Sequence, residues 1–463
     1  RNVMPNEAQL ARVMVRRLKS DLVDAEGNKI YPARRLEALE VNHSQDERDV
    51  RALLETYIEN RTKNDAGTSH MGAFVYQLLR KRLWSSPSAF AATLERHIET
   101  IEGHQEKQSK ASKLNDRILR RAIAKTKEDY DDDALREDAE SAAVREVGRQ
   151  MRAPTNQERQ ILVQLRSWAH GAQNRTDAKA DAVLQWLEKH LKRDGAWANK
   201  RVILFTEYRA TQTWMQQILA SHGYGGERLL LIYGGMDPED REAAKAAFQA
   251  DPEQSPVRIL LATDAASEGI DLQNYCNLMI HLEIPYNPNV MEQRNGRIDR
   301  HGQKSDEVVI WHPVDANGEH GKDILRALQK LDTMRADMGS VNPVITPQIP
   351  DLLEGRRSQL DTTEAQARIE MSRKFVRVEK NIAERVSKLH NRLDETRREQ
   401  RFTPENVEAT VRVALRLAEM PNLEPAQLDC FKAGKCFEMP PLSGSWQRCL
   451  EGLQHPYTGK IRL

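Results

Sequence analysis

The chain has 463 residues, with 70 Lys and Arg against 69 Asp and Glu and a formal net charge of +1. This length predicts two or three compact units, and the near-zero net charge excludes attraction of nucleic acid by a global positive field, so any such contact needs a local basic stripe. Four cysteines without paired spacing, no signal peptide and no apolar run of about 20 residues predict a cytoplasmic protein with reduced thiols, no metal site and no membrane partner.

Residues 44–177 have the composition of helices. They are rich in Ala, Leu, Glu, Lys and Arg and contain few glycines or prolines, which favours long polar helices around a small apolar centre. The acidic run Glu128–Asp133 has the charge of a nucleic-acid mimic, but a solvated loop is its more ordinary interpretation, and no site is assigned to it. Asp46–Asp49 (DERD) has the letters of a metal-binding motif. Because no apolar strand precedes it, it is interpreted as a helix start.

Residues 178–339 alternate short apolar runs with amphipathic segments of helical length. Buried strands that alternate with helices predict an α/β fold with a mostly parallel sheet covered on both faces. The predicted strands are Val202–Phe205, Leu229–Ile232, Ile259–Leu261, Leu278–Ile280 and Val308–Ile310. The predicted helices are Arg209–Ser221, Pro238–Ala250 and Val290–Arg300.

Residues 340–463 are predicted to form a mostly helical extension. The prolines of Ser340–Pro350 indicate a linker, and a charged helix is expected over Thr362–Gln400. The tail from Pro421 is richer in proline, glycine and tryptophan. We expect this tail to begin a further module that is cut off at Leu463.

The segment Gln293–Arg300 (QRNGRIDR) carries the most specific chemistry. On the predicted helix, Arg297 and Arg300 lie three residues apart and present two forked guanidinium groups on one face. Such a pair is suited to gripping phosphate oxygens. A helix with solvated arginines is the ordinary interpretation of an isolated R-x-x-R, but it does not explain the motifs that precede this segment in order.

Polar residues follow three predicted strands, at the edge where open parallel sheets place their ligand sites. The first of these strands ends at Thr206, and the turn Tyr233–Met236 (YGGM) is followed by Arg241. Glycines let the chain approach phosphate closely, and N–H groups at a helix start favour anions; a plain turn before a helix also explains the glycines. The loop Thr263–Leu272 combines hydroxyls, a glycine and carboxylates.

These motifs, in this order, resemble those of the superfamily-two helicases and translocases, and His301-Gly302-Gln303 narrows the resemblance to the Swi/Snf-type branch. Val15–Leu22 resembles the end of that branch's first motor lobe, and Leu78–Pro87 resembles a helix between its lobes. The resemblance covers roughly Val13–Pro313 and is nearest to bacterial RapA-like and phage-defence helicase-like members. It implies the end of a first motor lobe and a linker over 1–43, a helical inter-lobe insertion over 44–177, a RecA-like helicase C-terminal lobe over 178–339, and a linker, long helix and truncated accessory region over 340–463.

The resemblance also implies roles for individual residues. Arg297 and Arg300 would neutralise charge on a transferred phosphoryl group, and Gln293 would link the nucleotide site to the other lobe. The residues implied near the nucleotide are Gly269, Asp271 and Glu268. The residues implied to contact the nucleic-acid backbone are Thr206, Gly234, Gly235, Arg241, Thr263 and Ser267.

ATP and Mg²⁺ are the implied cofactors, but the chain lacks the loop that would hold them. It contains no G-x-x-x-x-G-K-[ST] segment, whose backbone cradles phosphates and whose lysine reaches them. The chain also opens at Arg1, without an initiator methionine, in the middle of a family motif. We therefore expect a fragment that is inactive alone, with ATP and Mg²⁺ held mainly by an absent first RecA-like lobe.

The implied function is the second motor lobe of an ATP-dependent double-stranded-DNA translocase, with bacterial phage defence as its expected setting. One alternative keeps the motor and makes it a RapA-like remodeller that binds RNA polymerase. The other is a non-catalytic regulatory or scaffold protein derived from a helicase lobe. The intact Gln293, Arg297 and Arg300 argue against the second alternative.

Overall fold

The computed structural model describes residues 30–64, 69–103, 126, 132–264, 271–316, 324, 326–332, 348–353, 357, 360–361, 363, 404–426 and 436–442. The chain divides into two compact units, residues 1–371 and 372–463. Val15–Leu22, most of Thr362–Gln400, and Ser267, Glu268 and Gly269 of the predicted site lie outside the described residues.

The first unit is built on a parallel sheet. Its strands in chain order are β1 (Ala33–Val41), β2 (Lys192–Arg193), β3 (Ala196–Trp197), β4 (Val202–Thr206), β5 (Leu229–Ile232), β6 (Ile259–Thr263), β7 (Leu278–His281) and β8 (Glu307–Asp315). Six of them form a wholly parallel sheet in the order β1-β8-β7-β4-β6-β5. The other two, β2 and β3, form a separate antiparallel hairpin.

Helices cover both faces of this sheet. Other helices, between β1 and the remaining strands in the chain, form a separate bundle. The helices in chain order are α1 (Gln45–Asn64), α2 (Ser69–Ser85), α3 (Pro87–Glu102), α4 (Asp133–Gly148), α5 (Asn156–Ala172), α6 (Ala178–Leu191), α7 (Arg209–Ser221), α8 (Pro238–Gln249), α9 (Pro288–Asn295) and α10 (Ile349–Leu353). Among the described residues, no helix is long and apolar enough to cross a membrane.

The central strands are apolar throughout because neighbouring residues of one strand enter two different cores. In β4, Val202 and Leu204 pack with α6 and α7, whereas Ile203 and Phe205 pack with Phe248 of α8. Strands buried on both faces read as continuous apolar runs. The five strands predicted from such runs are confirmed, and the parallel sheet with a helical region before it is the predicted α/β fold class.

A third core lies within the helices that precede the sheet. It contains Tyr57 of α1, Phe90 of α3 and Leu165 of α5, all fully buried. The start of α5 is fixed by a capping box, in which the Thr155 and Glu158 side chains each accept a backbone N–H of the other residue. The helical bundle therefore has its own apolar centre, distinct from the two cores of the sheet.

One strand of the sheet was not predicted. Strand β1 lies within residues 1–43, the range assigned to a first lobe and linker, yet it pairs with β8 along its whole length, from Ala33 with Glu307 to Val41 with Asp315. It is an edge strand and exposes part of its side chains, so it lacks a continuous apolar run. The sheet is thus built from residues on both sides of the helical bundle.

The predicted helix Val290–Arg300 was wrong at its carboxyl end. Helix α9 stops at Asn295, with Gly296 as its cap residue. The Arg297 N–H then bonds the Arg294 carbonyl at 3.0 Å, and the Ile298 N–H bonds the Asn295 carbonyl at 3.2 Å. These shorter turns replace the α-helix, so Arg297 and Arg300 lie in turns after α9 and not on its face.

The described residues of the second unit form a helix and a pair of antiparallel strands. Helix α11 (Pro404–Leu417) precedes β9 (Glu424–Ala426) and β10 (Cys436–Glu438), which pair antiparallel. In the first unit, α10 contains Pro350, so the predicted linker Ser340–Pro350 ends in a short helix. Proline is tolerated there because the first-turn N–H groups have no helical partner.

Candidate functional site at the carboxyl edge of the sheet

The carboxyl ends of β4, β5 and β6 lie side by side. Thr206 of β4 pairs in register with Thr263 of β6, and Ile232 of β5 pairs with Ala262. Gly234 therefore follows β5 next to Thr263. Three residues predicted to contact a nucleic-acid backbone are brought to one edge, the edge at which open parallel sheets place their ligands.

The Thr206 side chain is turned into this edge and is fully buried. Its hydroxyl donates to Glu283 Oε2 at 3.2 Å and accepts the Tyr208 N–H at 3.3 Å. The direct backbone contact predicted for Thr206 stays a prediction, and in this structure both hydrogen bonds of its hydroxyl are made within the protein. The hydroxyl anchors the segment after β4 to the segment after β7.

Thr263 and Gly234 share one partner, the carboxylate of Asp133 at the start of α4. The Thr263 hydroxyl donates to Asp133 Oδ2 at 2.7 Å, and the Gly234 N–H donates to the same oxygen at 2.8 Å. Burial raises the pKa of Asp133, and these two hydrogen bonds oppose that shift without cancelling it. No role was predicted for Asp133, because nothing in the sequence brings α4 to this edge.

The second glycine of the turn faces the neighbouring carboxylate. Gly235 has a φ of +82°, and a Cβ added there would come within 2.9 Å of Asp132 Oδ1. Glycine is needed both for this backbone conformation and for the close approach. Arg241, the other residue predicted here, is partly buried in α8.

Arg294 is fully buried and holds the end of α9 in place. Its Nε donates to Asp264 Oδ1 at 2.5 Å and its Nη2 donates to Asp264 Oδ2 at 2.8 Å, which is a bidentate pair. Its Nη1 also donates to the Glu283 carbonyl at 3.3 Å. This arginine ties α9 to the end of β6, so it is not available to a ligand.

Of the residues predicted to act at the nucleotide, Gln293 lies in α9, Arg297 and Arg300 lie in the turns after α9, and Asp271 lies in the loop after β6. Gln293 is exposed and Arg297 is partly buried, with the Arg297 carbonyl accepting the Leu272 N–H at 3.3 Å. Arg300 Nη1 pairs with Asp271 Oδ1, and the two side chains are 48 % and 54 % exposed. An exposed pair of this kind contributes only about 0–1 kcal/mol, so a stronger anion can displace Asp271 from Arg300.

Arg34 of β1 holds the end of α9 and the turn that follows it in place. Its Nη1 and Nη2 donate to the two carboxylate oxygens of Glu292 at 2.7 and 2.8 Å, and Nη1 also donates to Asp332 Oδ1 at 2.7 Å. A further bond joins Arg34 to Asp299, which lies between Arg297 and Arg300. Sequence analysis missed Arg34, and no signal in the sequence marks it, because β1 itself carries no strong strand pattern.

The helical bundle is joined to the sheet through Glu207, the residue after β4. Lys81 Nζ of α2 donates to Glu207 Oε1 at 2.8 Å, and Arg136 of α4 bonds both the carboxylate and, at 3.1 Å, the carbonyl of Glu207. Burial by itself would raise the pKa of the Glu207 carboxyl. The positive charges of Lys81 and Arg136 lower that pKa by more than burial raises it, so the net pKa lies well below its usual range. The carboxylate is therefore ionised and binds both cations.

No three His, Cys, Asp or Glu side chains lie close enough to hold a metal ion in the part of the chain that the structure describes. The arrangement offers guanidinium groups, a hydroxyl and a main-chain N–H at one sheet edge. Guanidinium and main-chain N–H groups bind anionic oxygens.

Comparison with known proteins agrees with this geometry. Residues 182–302 match the family described as helicase conserved C-terminal domain. The chain is 35 % identical over 151 residues to an uncharacterized ATP-dependent helicase, YqhH, of Bacillus subtilis, a match that covers 32 % of this chain and 24 % of that protein. It is 31 % identical over 126 residues to the RNA polymerase-associated protein RapA of Vibrio vulnificus, covering 27 % of this chain and 12 % of RapA.

Among solved structures, the chain resembles the Sulfolobus solfataricus SWI2/SNF2 ATPase core in complex with dsDNA. That likeness has a TM-score of 0.34 and 16 % identity and covers 76 % of this chain and 55 % of the other. The matched segments span a quarter or less of the two sequence relatives' own length. Residues 182–302 thus match a helicase conserved C-terminal domain, and the predicted resemblance to helicases and to RapA is confirmed.

Proposed function

We propose that this helicase C-terminal domain is the second motor lobe of an ATP-dependent translocase that moves on double-stranded DNA. The observation that carries the proposal is the turn after α9, where Arg300 holds a carboxylate at the surface with about half of its side chain exposed. A carboxylate on a guanidinium is a stand-in for a phosphate, since both present paired anionic oxygens to the same fork. Arg297 and Arg300 therefore fit the triphosphate of an opposed lobe.

ATP, with Mg²⁺ bound mainly by a first RecA-like lobe, would supply the phosphoryl group. The part of this chain is to place positive charge beside it: Arg300 would exchange Asp271 for a phosphate oxygen, and Arg297 would approach from the same turn. Gln293, exposed one turn earlier, can donate and accept hydrogen bonds at once and would link the two lobes. Charge placed in advance stabilises a transition state without reorganisation.

The nucleic-acid side of the proposal rests on the carboxyl edge of β5 and β6. The Gly234 N–H and the Thr263 hydroxyl both bind an anionic oxygen, that of Asp133. Main-chain N–H groups and hydroxyls are common partners of backbone phosphates and carry no sequence preference. A translocase needs this kind of grip, because it must hold every sequence that it moves along.

The arginine roles are tested by ATP turnover in a protein that joins this chain to a first motor lobe. Arg297→Ala and Arg300→Ala should each lower DNA-stimulated turnover by about 10³-fold, the usual effect of an arginine finger, with most of the DNA affinity kept. Arg193→Ala, which removes an exposed arginine of β2, is the matched control and should keep full turnover. Wild-type turnover in Arg297→Ala would refute the role of that residue.

A second candidate function follows from the similarity to a protein named as RNA polymerase-associated. In that case the motor would act on RNA polymerase bound to DNA. Copurification of RNA polymerase with the tagged protein would support action on RNA polymerase. If no polymerase copurifies and naked duplex DNA stimulates the ATPase, translocation on double-stranded DNA is favoured. Phage defence stays a prediction from resemblance.

A further inference from the structure

The acidic start of α4 occupies the donors that the proposed function assigns to DNA. Asp133 is 4 % exposed, and one of its carboxylate oxygens receives both the Gly234 N–H and the Thr263 hydroxyl. Asp132 lies directly against Gly235, at the position where any larger residue would meet its carboxylate. Two adjacent carboxylates thus cover the glycine turn and the end of β6.

The side-chain cap of helix α4 does not involve Asp133. The cap is supplied by Asp132, whose Oδ1 accepts the Ala134 N–H at 2.7 Å. The Asp133 carboxylate therefore accepts hydrogen bonds from the sheet edge and does not cap its own helix. Asp133 is 101 positions from Gly234 and 130 positions from Thr263 in the chain. The contact therefore forms only when the helical bundle docks on the sheet.

Docking of α4 holds Asp133 at this position. Arg136, one turn along the helix, bonds Glu207, and Glu140, a further turn along, bonds Arg82 of α2. The site itself is a poor environment for a carboxylate, because it is buried and the carboxylate of Asp264 lies nearby. These features disfavour any anion while α4 is docked. Once the start of α4 leaves the edge, the two donors face solvent, and a backbone phosphate can bind them at a lower desolvation cost.

We propose that the Gly234 N–H and the Thr263 hydroxyl form one oxyanion site with two alternative occupants, the Asp133 carboxylate and a phosphate of the DNA backbone. The proposal rests on the proposed function, since it takes DNA as the second ligand. Its consequence is that the start of α4 must leave the sheet edge before the duplex can bond there. The helical bundle would then set the DNA affinity of the lobe.

The test compares two variants of the same helix. Asp133→Ala removes the occupant, and Asp138→Ala removes an exposed aspartate one turn away with the same change in net charge. Binding of the whole chain to a fluorescent duplex is measured by anisotropy. Asp133→Ala should bind about five- to tenfold more tightly than the wild type, as expected for a coupling of this kind, and Asp138→Ala less than about twofold more tightly by charge alone.

Two further measurements separate displacement from a merely structural role. Adding Thr263→Val to Asp133→Ala should abolish the gain, because the site that was uncovered is then lost. In the wild type, duplex DNA should raise the amide hydrogen exchange of the start of α4, since that segment must leave the edge. If Asp133→Ala does not fold, Asp133→Asn keeps the side-chain shape, removes the charge and is measured in its place.

The outcomes distinguish this inference from the function beneath it. If Thr263→Val weakens DNA binding but Asp133→Ala behaves like Asp138→Ala, DNA uses the edge and Asp133 does not compete, so the inference alone is overturned. If Asp133→Ala gains affinity and Thr263→Val does not remove the gain, the inference also fails. If neither the wild type nor any variant binds duplex DNA, the proposed function itself fails and the inference falls with it.

Discussion

His97 of α3 is a fully buried residue at the centre of the helical bundle. Its Nε2 lies 2.7 Å from the hydroxyl of Tyr57. Burial, together with the nearby Arg61 guanidinium, lowers the pKa of His97 from 6.5 to about 3. The folded bundle therefore holds a neutral imidazole that is hydrogen-bonded to the hydroxyl of Tyr57.

This depressed pKa makes the bundle sensitive to acid. Between pH about 6.5 and about 3 the unfolded chain binds a proton at His97 and the folded chain does not, so the free energy of unfolding falls as the pH is lowered through this window, by about 1.4 kcal/mol per unit from one such group. His97→Gln keeps an acceptor for Tyr57 and cannot titrate, so its urea midpoint should depend less on pH than that of the wild type.

Tyr57→Phe is the control for this measurement. It removes the hydrogen bond but leaves His97 buried, so the pH dependence of the wild type should remain, on a lower overall stability. His312, which is also buried with a pKa lowered to about 3, contributes equally to all three proteins. Equal pH dependence in His97→Gln and the wild type would contradict the assignment.

At the scale of elements, β1 joins the sheet to the turn after α9 that carries Arg297 and Arg300, here called the arginine turn. The Arg34 side chain is 8 % exposed and binds Glu292 of α9, Asp299 of the turn and Asp332. Arg34→Ala would leave these carboxylates without their cation in a largely buried place, so we expect a loss of about 3–5 kcal/mol in the free energy of unfolding. Urea denaturation followed by tryptophan fluorescence measures it.

The neighbouring residue of the same strand is a matched control. Arg35 is 53 % exposed and pairs only with partly exposed carboxylates, Glu37 and Glu307. Arg35→Ala should therefore change the free energy of unfolding by less than about 1 kcal/mol. Comparable losses in the two variants would mean that the buried ion pairs of Arg34 contribute no more to the free energy of unfolding than the exposed pairs of Arg35.

The central strands and α7 could be predicted because each has a local pattern: a short apolar run for a buried parallel strand, and helical periodicity for α7. The carboxyl edge could be predicted in outline, since Thr263, Gly234 and Thr206 each follow such a run. The end of α9 could not, because it depends on turns after Gly296 and on the Arg294 pair with Asp264. Long-range partners leave no periodic trace in a single sequence.

The same limit applies to the docking of the helical bundle. Arg34 meets Glu292 across 258 positions, and Asp133 meets Thr263 across 130. The acidic run was interpreted as a solvated loop because charge runs usually are, yet its last residue is buried against the sheet. A charge pattern indicates solvent exposure only when no distant donor satisfies it.

At the scale of the whole first unit, several polar contacts join the bundle core to the sheet cores, among them a charged joint at Glu207. The bundle core and the two sheet cores share no residues, and Glu207 accepts bonds from Lys81 and Arg136 between them. An ionised carboxylate between two cations holds the bundle and the sheet together. The joint lies beside the end of β4, so any movement of the bundle changes the same sheet edge that carries Thr263.

Glu207→Gln tests whether this joint couples the cores. The neutral side chain leaves Lys81 and Arg136 without their anion, which should lower the free energy of unfolding by about 3 kcal/mol and split a single calorimetric transition into two, because each core can then melt separately. Glu59→Gln, which breaks an exposed pair with Lys63 at the far side of α1, should shift stability by less than about 0.5 kcal/mol. A single, unshifted transition in Glu207→Gln would show that the bundle stays on the sheet without the Glu207 ion pairs.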